Sequence, residues 1–164
     1  MIRVAKFSDT PHIMRLLRNV HAKSKYAKIT ALNDKALEQV VMSMIAGQNQ
    51  QGPQASHVTV CEHGGEVVGF MASSLQRVYN ICEKLVASDT FLVSESKRAV
   101  DTAQMIDAYI AWASSNPKVI EIALSWSDAV AGSHRLGTMF RRRGYRLVGE
   151  QYDVAIPQAR EEAA

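Results

Sequence analysis

Residues 94–113 read SESKRAVDTAQMIDAYIAWA, and this stretch decides the fold. Its first residues are polar, and its later apolar residues recur at helical spacing: Met105, Ile106, Tyr109, Ile110 and Ala113. The strand-forming run KLVASDTFLV precedes it at residues 84–93. Pro117 and the apolar run KVIEIALSW at residues 118–126 follow it. The pattern predicts a strand, a helix from about residue 98 and a second strand, whose continuous apolar character favours a central position in a sheet.

The N-terminal third of the chain is predicted to hold one strand and two helices. IRVAKF at residues 2–7 is rich in strand formers, and the following SDTP places Asp9 or Thr10 at the start of a helix. A second apolar stripe at helical spacing predicts a helix between residues 33 and 47.

A glycine pair marks the next element, which is a hairpin. Gly64 and Gly65 separate two runs of strand formers within residues 57–76, and such a pair supplies the positive φ angles of a tight turn. Two antiparallel strands are therefore predicted here.

The C-terminal part is predicted to hold a short helix over residues 134–143, a last strand over residues 145–156 and a loose tail over residues 157–164. No internal repeat or linker interrupts the chain. We therefore expect one domain over residues 1–156, an α/β (α+β) fold in which a mixed sheet carries helices on both faces.

Composition excludes several classes of function. The 164 residues are 47% hydrophobic and 21% charged, with no apolar run near the roughly 20 residues that span a bilayer and no signal-peptide pattern. We expect a soluble, cytoplasmic protein without a membrane partner.

The net charge is only +3, and the basic cluster FRRRGYR at residues 140–146 resembles a solvated helix end, so no nucleic-acid partner is expected. Cys61 and Cys82 lack the paired spacing of a metal knuckle and suit reduced small hydrophobic residues, and no two of the five histidines stand at helical ligand spacing, so no metal site is expected.

Three segments in this order resemble the GCN5-related N-acetyltransferase (GNAT) superfamily. They are IRVAKFSDTPHIMRLL at residues 2–17, FLVSESKRAVDTA at 91–103 and MFRRRGYRLVGEQY at 139–152, and the resemblance covers nearly the whole chain. It implies the GNAT fold, with a central mixed, mostly antiparallel sheet of about six to seven strands and helices on both faces.

The resemblance implies acetyl-coenzyme A as cofactor. The pantetheine of the cofactor would pair with the fourth strand at Phe91, Leu92 and Val93. The pyrophosphate would bind the loop of pattern Gln/Arg-x-x-Gly-x-Gly/Ala, which is matched here by Arg98, Ala99, Val100, Asp101, Thr102 and Ala103. Arg98 and Ala103 fit that pattern. Asp101 replaces a glycine, and its carboxylate is expected either to oppose phosphate at the helix amides or simply to stabilise an ordinary helix start.

The catalytic groups implied by the resemblance are incomplete. Phe140 stands where many family members carry a tyrosine that protonates the leaving thiolate, and a phenyl ring has no such proton. Ser133 or His134 is a candidate proton donor, with a cap or turn role as the alternative. Asp89 is the candidate general base, with Glu83 as the weaker choice, and strand alternation predicts the side chain of Asp89 on the same face as Ala87 and Val93.

The link between the first two helices is the candidate acceptor site. His21, Ser24 and Tyr26 lie in a region that often lines the acceptor pocket in this superfamily, although a solvated connector is the alternative. The implied function is transfer of acetyl to a primary amine of a small molecule or a protein. The alternative is a catalytically silent or weakened GNAT-like protein, similar to those of bacteriophages, that acts in or with the virion by binding. A homodimer is compatible with either.

Overall fold

The computed structural model describes residues 1–152, which form five β-strands, four α-helices and three short 3-10 turns. The strands are β1 (Ile2–Val4), β2 (Ser56–His63), β3 (Glu66–Arg77), β4 (Leu85–Ser94) and β5 (Val119–Ala123). The helices are α1 (Thr10–Ala22), α2 (Asp34–Ala46), α3 (Ala99–Ser114) and α4 (His134–Arg142). All four helices were predicted within a few residues of these bounds.

The strands form one mixed sheet in the order β1-β2-β3-β4-β5. Each neighbouring pair among the first four strands is antiparallel. Strands β4 and β5 run parallel because the chain crosses between them through α3. The mixed, mostly antiparallel sheet is therefore confirmed, with five strands over residues 1–152 rather than six or seven. The predicted central place of β5 is wrong for this part of the chain, because β5 is an edge strand there and Ile120 is 62% exposed.

The predicted last strand is wrong where the structure describes it. Residues 145–152 have no strand conformation, and Leu147 and Val148 are 75% and 69% exposed. Strand-forming side chains stabilise a strand only when a neighbouring strand and a packed face receive them, and residues 1–152 provide neither for these two. Residues 153–156 of that prediction and the predicted tail lie outside the described residues.

The hairpin prediction is confirmed, including its turn. Gly64 and Gly65 join β2 to β3 with φ angles of +58° and +83°. Consecutive positive φ angles suit the right-handed twist of the two strands, and glycine adopts them without steric cost.

Each face of the sheet buries its own hydrophobic cluster. On one face, Ile13 and Leu16 of α1 pack with Phe70 and Val93 of the sheet. On the other, α3 and α4 cover a second cluster that includes Met71 of β3, the residue next to Phe70. The two clusters follow from strand alternation and helical periodicity together. The predicted apolar face of α3 is buried in the second cluster: Met105, Ile106, Tyr109 and Ala113.

A β-bulge interrupts β4 in its middle. Phe91 opposes Ala72 on β3, whereas Asp89 opposes the next residue, Ser73, so Thr90 is an extra residue without a partner. A bulge of this kind reverses the alternation of side chains on either side of it. This reversal determines where the side chain of Asp89 lies.

The start of α1 is held by a buried ion pair. Asp9 is only 4% exposed, and its carboxylate accepts two hydrogen bonds from Arg3, of 2.7 and 2.9 Å, and one from the amide of Lys6, of 2.7 Å. Asp9 is thus the N-cap residue of α1, as one of the two predicted alternatives, but its side chain bonds Arg3 and Lys6 rather than the amides of the helix. The hydrogen bonds from Arg3, and then the one from Lys6, hold the pKa of Asp9 below its ordinary value of 3.8.

Asp9→Asn is expected to lower the free energy of unfolding at neutral pH by about 1.5–3 kcal/mol, the usual value of hydrogen bonds to a charged group. The folded-state pKa of Asp9 is depressed, so its contribution is complete above the unfolded pKa and disappears as pH falls through the folded pKa, below 3.8. Urea unfolding of both proteins across this range should therefore converge at acid pH. Asp34→Asn is the matched control, because Asp34 is largely exposed and its pair with Arg18 contributes little. A gap that persists at the lowest pH would contradict the role of the Asp9 charge.

Candidate cofactor and active site

The parallel strands β4 and β5 diverge at one end of the sheet. Their last pair is Ser88 with Ala123, and β4 continues to Ser94 while β5 stops. At the point of divergence, Oδ1 of Asp89 accepts hydrogen bonds from the amide and the hydroxyl of Ser125, at 3.0 and 3.1 Å. This divergence, called the fork below, leaves the second half of β4 without a strand partner on the β5 side among residues 1–152.

The ladder with β3 determines which backbone groups of β4 face the fork. The amide of Glu95 donates to the carbonyl of Val68 at 2.8 Å, and antiparallel pairing alternates from there along the strand. The backbone groups of Phe91 and Val93 accordingly point to β3, and those of Leu92 point into the fork. Of the three residues predicted to pair with the cofactor, Leu92 is the one with its backbone groups directed into the opening.

The first turn of α3 lies directly after β4 and presents free amides. Ala99 and Val100 are both exposed, and neither of their amides donates a hydrogen bond to an acceptor within residues 1–152. The amide of Arg98 donates to the hydroxyl of Ser96 at 3.1 Å, and the amide of Asp101 donates to the carbonyl of Arg98. Two N–H groups of exposed residues at a helix N-terminus, without acceptors in the described part of the chain, are a favourable site for an anion.

Asp101 does not compete for these amides, so that part of the sequence prediction is wrong. Its carboxylate is turned into the protein, where it accepts a hydrogen bond from the hydroxyl of Ser96 and lies 2.8 Å from Nε2 of His63. Asp101 is only 2% exposed, and the bonds from Ser96 and then His63 hold the pKa of its carboxyl below the ordinary value. Because the side chain of Asp101 packs inward, aspartate in place of the family's glycine does not place side-chain atoms over the amides of Ala99 and Val100.

The remaining residues of the predicted loop surround these amides. The Arg98 side chain is 63% exposed, and its Nε lies 3.9 Å from the Asp101 carboxylate, at the outer limit of an ion pair. Thr102 and Ala103 are half-buried in the next part of the turn. Arg98 is thus the cation available to a ligand at the start of α3.

Asp89 lies on the face of the sheet that α3 and α4 cover. The bulge at Thr90 reverses the alternation, so the predicted common face with Val93 is wrong, and Asp89 shares the face of Ala87 and Leu92. Burial raises the pKa of its carboxyl, although the two hydrogen bonds from Ser125 act in the opposite direction. Such a carboxylate is a stronger base than an exposed one.

Tyr109 supports the same end of β5, a role that the sequence pattern did not reveal. Its hydroxyl donates to the carbonyl of Ala123 at 2.9 Å, immediately beside the fork. Burial and, secondarily, the charge of Asp89 raise the pKa of Tyr109, so the phenol stays protonated. On the sequence, Tyr109 is one of several residues on an apolar stripe, and nothing in that stripe distinguishes it.

Solved structures with a similar architecture include several acetyltransferases. The chain is similar to an acetyltransferase from Trypanosoma brucei, with 16% identity, a TM-score of 0.65 and coverage of 95% of this chain and 99% of the other. It is also similar to glucosamine-6-phosphate N-acetyltransferase from Arabidopsis thaliana, with 12% identity, a TM-score of 0.66 and coverage of 94% and 97%. The chain has the GNAT fold. A third similar structure, a predicted acetyltransferase from Clostridium acetobutylicum with acetyl-CoA, shares 14% identity at a TM-score of 0.65, and covers 94% of this chain and 95% of that one.

Comparison of the sequence itself finds nothing further. No protein-family model matches it, and no curated protein matches it. Among the described residues, no helix combines the length and the apolar character needed to cross a membrane.

The start of α4 holds the two candidate proton donors, Ser133 at its N-cap and His134 as its first residue, and Phe140 lies further along the helix in the place of the family's tyrosine. Phe140 is 8% exposed and packs against Tyr145 at a ring-centroid distance of 6.2 Å, so it fills space beneath α4. Ser133 precedes α4, and its hydroxyl donates to the carbonyl of Val130 at 2.7 Å. Within residues 1–152, no hydrogen bond joins Ser133 to Asp89: the hydroxyl of Ser133 bonds Val130, and the carboxylate of Asp89 bonds Ser125.

The predicted acceptor segment contacts the loop between β5 and α4. Ser24 forms an antiparallel bridge with Val130, and the amide of Lys25 donates to the carbonyl of Ala129 at 2.9 Å. The structure therefore brings Ser24 into contact with the loop that ends at Ser133. Tyr26 is 45% exposed, and Nε2 of His21 is buried without a hydrogen-bond partner within residues 1–152.

Proposed function

We propose that this protein is an acyl-CoA-dependent N-acyltransferase that transfers acetyl to a primary amine by direct attack of the amine on the thioester. The observation that carries the proposal is the fork after Ser88 and Ala123, with the exposed amides of Ala99 and Val100 beside it. The likeness to acetyltransferase structures supports the same reaction class.

The groups at the fork fit acetyl-coenzyme A. The backbone of Leu92 offers one donor and one acceptor to an amide-containing chain lying along β4, as a further strand would. The amides of Ala99 and Val100 suit the pyrophosphate, and Arg98 adds a positive charge above them. Inside the helix, Thr102 and Ala103 complete the turn that holds these amides in place. When bound, the cofactor supplies an activated acetyl group as a thioester.

Asp89 is the proposed general base. Its carboxylate lies at the fork, and the two hydrogen bonds from Ser125 to Oδ1 fix its position. A carboxylate with a raised pKa accepts a proton from an incoming ammonium group more readily than an exposed one does. The proposed donor to the departing thiolate is the hydroxyl of Ser133, because Phe140 cannot supply a proton.

The acceptor is proposed to be a primary amine of a small molecule or a protein, bound by the last turn of α1, which contains His21, and by the segment that follows it. His21, Ser24 and Tyr26 offer polar groups there, and Ser24 is attached to the loop that precedes Ser133. The buried Nε2 of His21 is a hydrogen-bonding group without a partner in the described protein, and buried groups of this kind favour a polar ligand.

The alternative function, a silent GNAT-like protein that acts only by binding, for instance in a phage virion or as a homodimer, rests on Phe140 alone. Phe140 removes one proton donor and leaves the fork and the amides unchanged. No other observation favours this alternative.

Acetyl-coenzyme A is expected to raise the melting temperature of the purified protein. At a ligand concentration of about 100 times Kd, binding to the native state adds about 2.7 kcal/mol, which corresponds to roughly 5–10 °C for a domain of this size. Differential scanning fluorimetry and calorimetry measure the two quantities. Pantetheine, which lacks the pyrophosphate, is the control ligand and should bind far more weakly. No shift at millimolar acetyl-coenzyme A would overturn the proposed function.

A further inference from the structure

Three potential metal ligands converge beneath the first turn of α3. Cys61 and His63 lie two residues apart on β2, and Asp101 comes from α3. Nε2 of His63 lies 3.5 Å from Sγ of Cys61 and 2.8 Å from Oδ2 of Asp101, and the three donor atoms all lie within 4.8 Å of one another.

The arrangement differs from that of a catalytic triad. In a triad, one ring nitrogen of the histidine contacts the nucleophile and the other contacts the acid. Here the same nitrogen, Nε2, faces both the thiol of Cys61 and the carboxylate of Asp101. Cys61 is also fully buried, and burial raises the pKa of its thiol, so it is not arranged as a nucleophile.

We propose that Cys61, His63 and Asp101 bind a divalent zinc ion. A thiolate, an imidazole and a carboxylate are the three ligand types that zinc combines, whereas magnesium and calcium avoid sulfur. Zinc bonds of about 2.0–2.3 Å at tetrahedral angles place two ligand atoms roughly 3.2–3.7 Å apart. The separation of sulfur and nitrogen already has this value, and the nitrogen–oxygen pair needs to open by only a few tenths of an ångström.

The surroundings supply the rest of a zinc site. The hydroxyl of Ser96 donates to the carboxylate of Asp101 and accepts from the amide of Arg98. Ser96, which is not itself a proposed ligand, therefore holds the oxygen ligand in its orientation. The side chain of His63 is 33% exposed, which provides the path by which an ion enters and a water completes the coordination. Binding replaces the thiol proton of Cys61, which is released to solvent, and the proton on Nε2 of His63, which moves to Nδ1 or to solvent.

A bound ion would connect α3 to β2 and offset the charge of Asp101 directly beneath the amides of Ala99 and Val100. The zinc site itself does not depend on the proposed enzymatic function. Its test therefore uses no acetyl-coenzyme A, and its failure leaves the cofactor titration unaffected.

The experiment is titration of the chelator-treated full chain with Co²⁺, followed by absorbance, and with Zn²⁺, followed by calorimetry. We expect one ion per chain, a thiolate-to-cobalt charge-transfer band and a rise in melting temperature with Zn²⁺. Cys61→Ser should abolish the band, and His63→Gln and Asp101→Asn should each weaken Zn²⁺ binding tenfold or more, because each removes one ligand.

Cys82→Ser is the matched control, because it removes the other thiol and should leave the band and the affinity unchanged. His63→Gln is the variant expected to keep the fold, because residue 63 is partly exposed and glutamine can still donate a hydrogen bond to Asp101. A loss of Zn²⁺ binding in this variant is therefore not caused by unfolding. Circular dichroism confirms the fold of each variant. The proposal is overturned if the wild type shows no cobalt band at micromolar metal, if the band depends on Cys82 rather than Cys61, or if folded His63→Gln binds Zn²⁺ like the wild type.

Discussion

Asp89→Asn is expected to lower kcat for acetyl transfer by about 10²–10⁴-fold, the usual range for loss of a general base. Asparagine has the same shape, and its carbonyl oxygen still accepts the bonds from the amide and hydroxyl of Ser125. The substitution therefore removes the proton-accepting group and keeps the fork. The measurement is release of free thiol from acetyl-coenzyme A, with whichever primary amine the wild type uses from a panel of polyamines, aminoglycosides, amino acids and peptides.

The pH dependence separates a base from a structural group. Burial raises the pKa of Asp89 above its ordinary value of 3.8, and the base must be ionised to act. The wild-type kcat/KM should therefore decline as pH falls through that raised pKa, and the variant should lose this acid limb. Because the raised pKa also means that the ionised carboxylate opposes folding at neutral pH, Asp89→Asn should be at least as stable as the wild type.

Asp107→Asn is the control for Asp89→Asn, because it makes the same change on an exposed carboxylate that pairs with Arg143. Its kcat should equal that of the wild type. Asp89→Asn with a kcat within about threefold of wild type would exclude Asp89 as the base, whatever the affinity for acetyl-coenzyme A.

Ala99→Pro is expected to weaken binding of acetyl-coenzyme A by about 10- to 100-fold. Ala99 is the first residue of α3, a position at which proline keeps the helix and removes only the N–H group. Arg98 before it has φ −99° and ψ 111°, an extended conformation that a following proline accepts. The loss corresponds to one hydrogen bond to a charged phosphate, about 1.5–3 kcal/mol. Calorimetric titration with acetyl-coenzyme A measures it.

The matched control is Asp34→Pro, which places proline at the first residue of α2 after Asn33, also extended. This variant should bind acetyl-coenzyme A like the wild type. The melting temperature of Ala99→Pro without ligand should be unchanged or slightly raised, because proline restricts the unfolded chain. Equal affinities of Ala99→Pro and wild type would show that the start of α3 does not hold the pyrophosphate.

The elements themselves were predictable because each has a local signal. Asn33 caps α2 and accepts from the amide of Ala36, as its position before an apolar stripe predicts. The glycine pair fixed the hairpin, and the periodicity of residues 98–113 located α3 next to β4. These are interactions between residues a few positions apart, and a single sequence contains them.

The details of the site were less predictable because they depend on partners far along the chain. The bulge at Thr90 depends on the register with β3, and it moved Asp89 to the other face of the sheet. The inward turn of Asp101 depends on His63, 38 residues away. Sequence analysis expected no metal site, although Cys61 and His63 lie two residues apart on one strand and such residues share a face. The approach of Asp101 to these two residues had no signal in the sequence.

The crossover from β4 through α3 to β5 has an evolutionary consequence. Asp89, Leu92, the amides that begin α3 and Ser125 all belong to one continuous stretch of chain, whereas Ser24 and Tyr26 belong to a separate segment in which Ser24 pairs with Val130, in the loop after β5. Under the proposed function, mutations in the segment between α1 and α2 would change which amine is accepted and leave the groups proposed for the cofactor in place. In a lineage with that function, acceptor preference and cofactor binding would evolve separately.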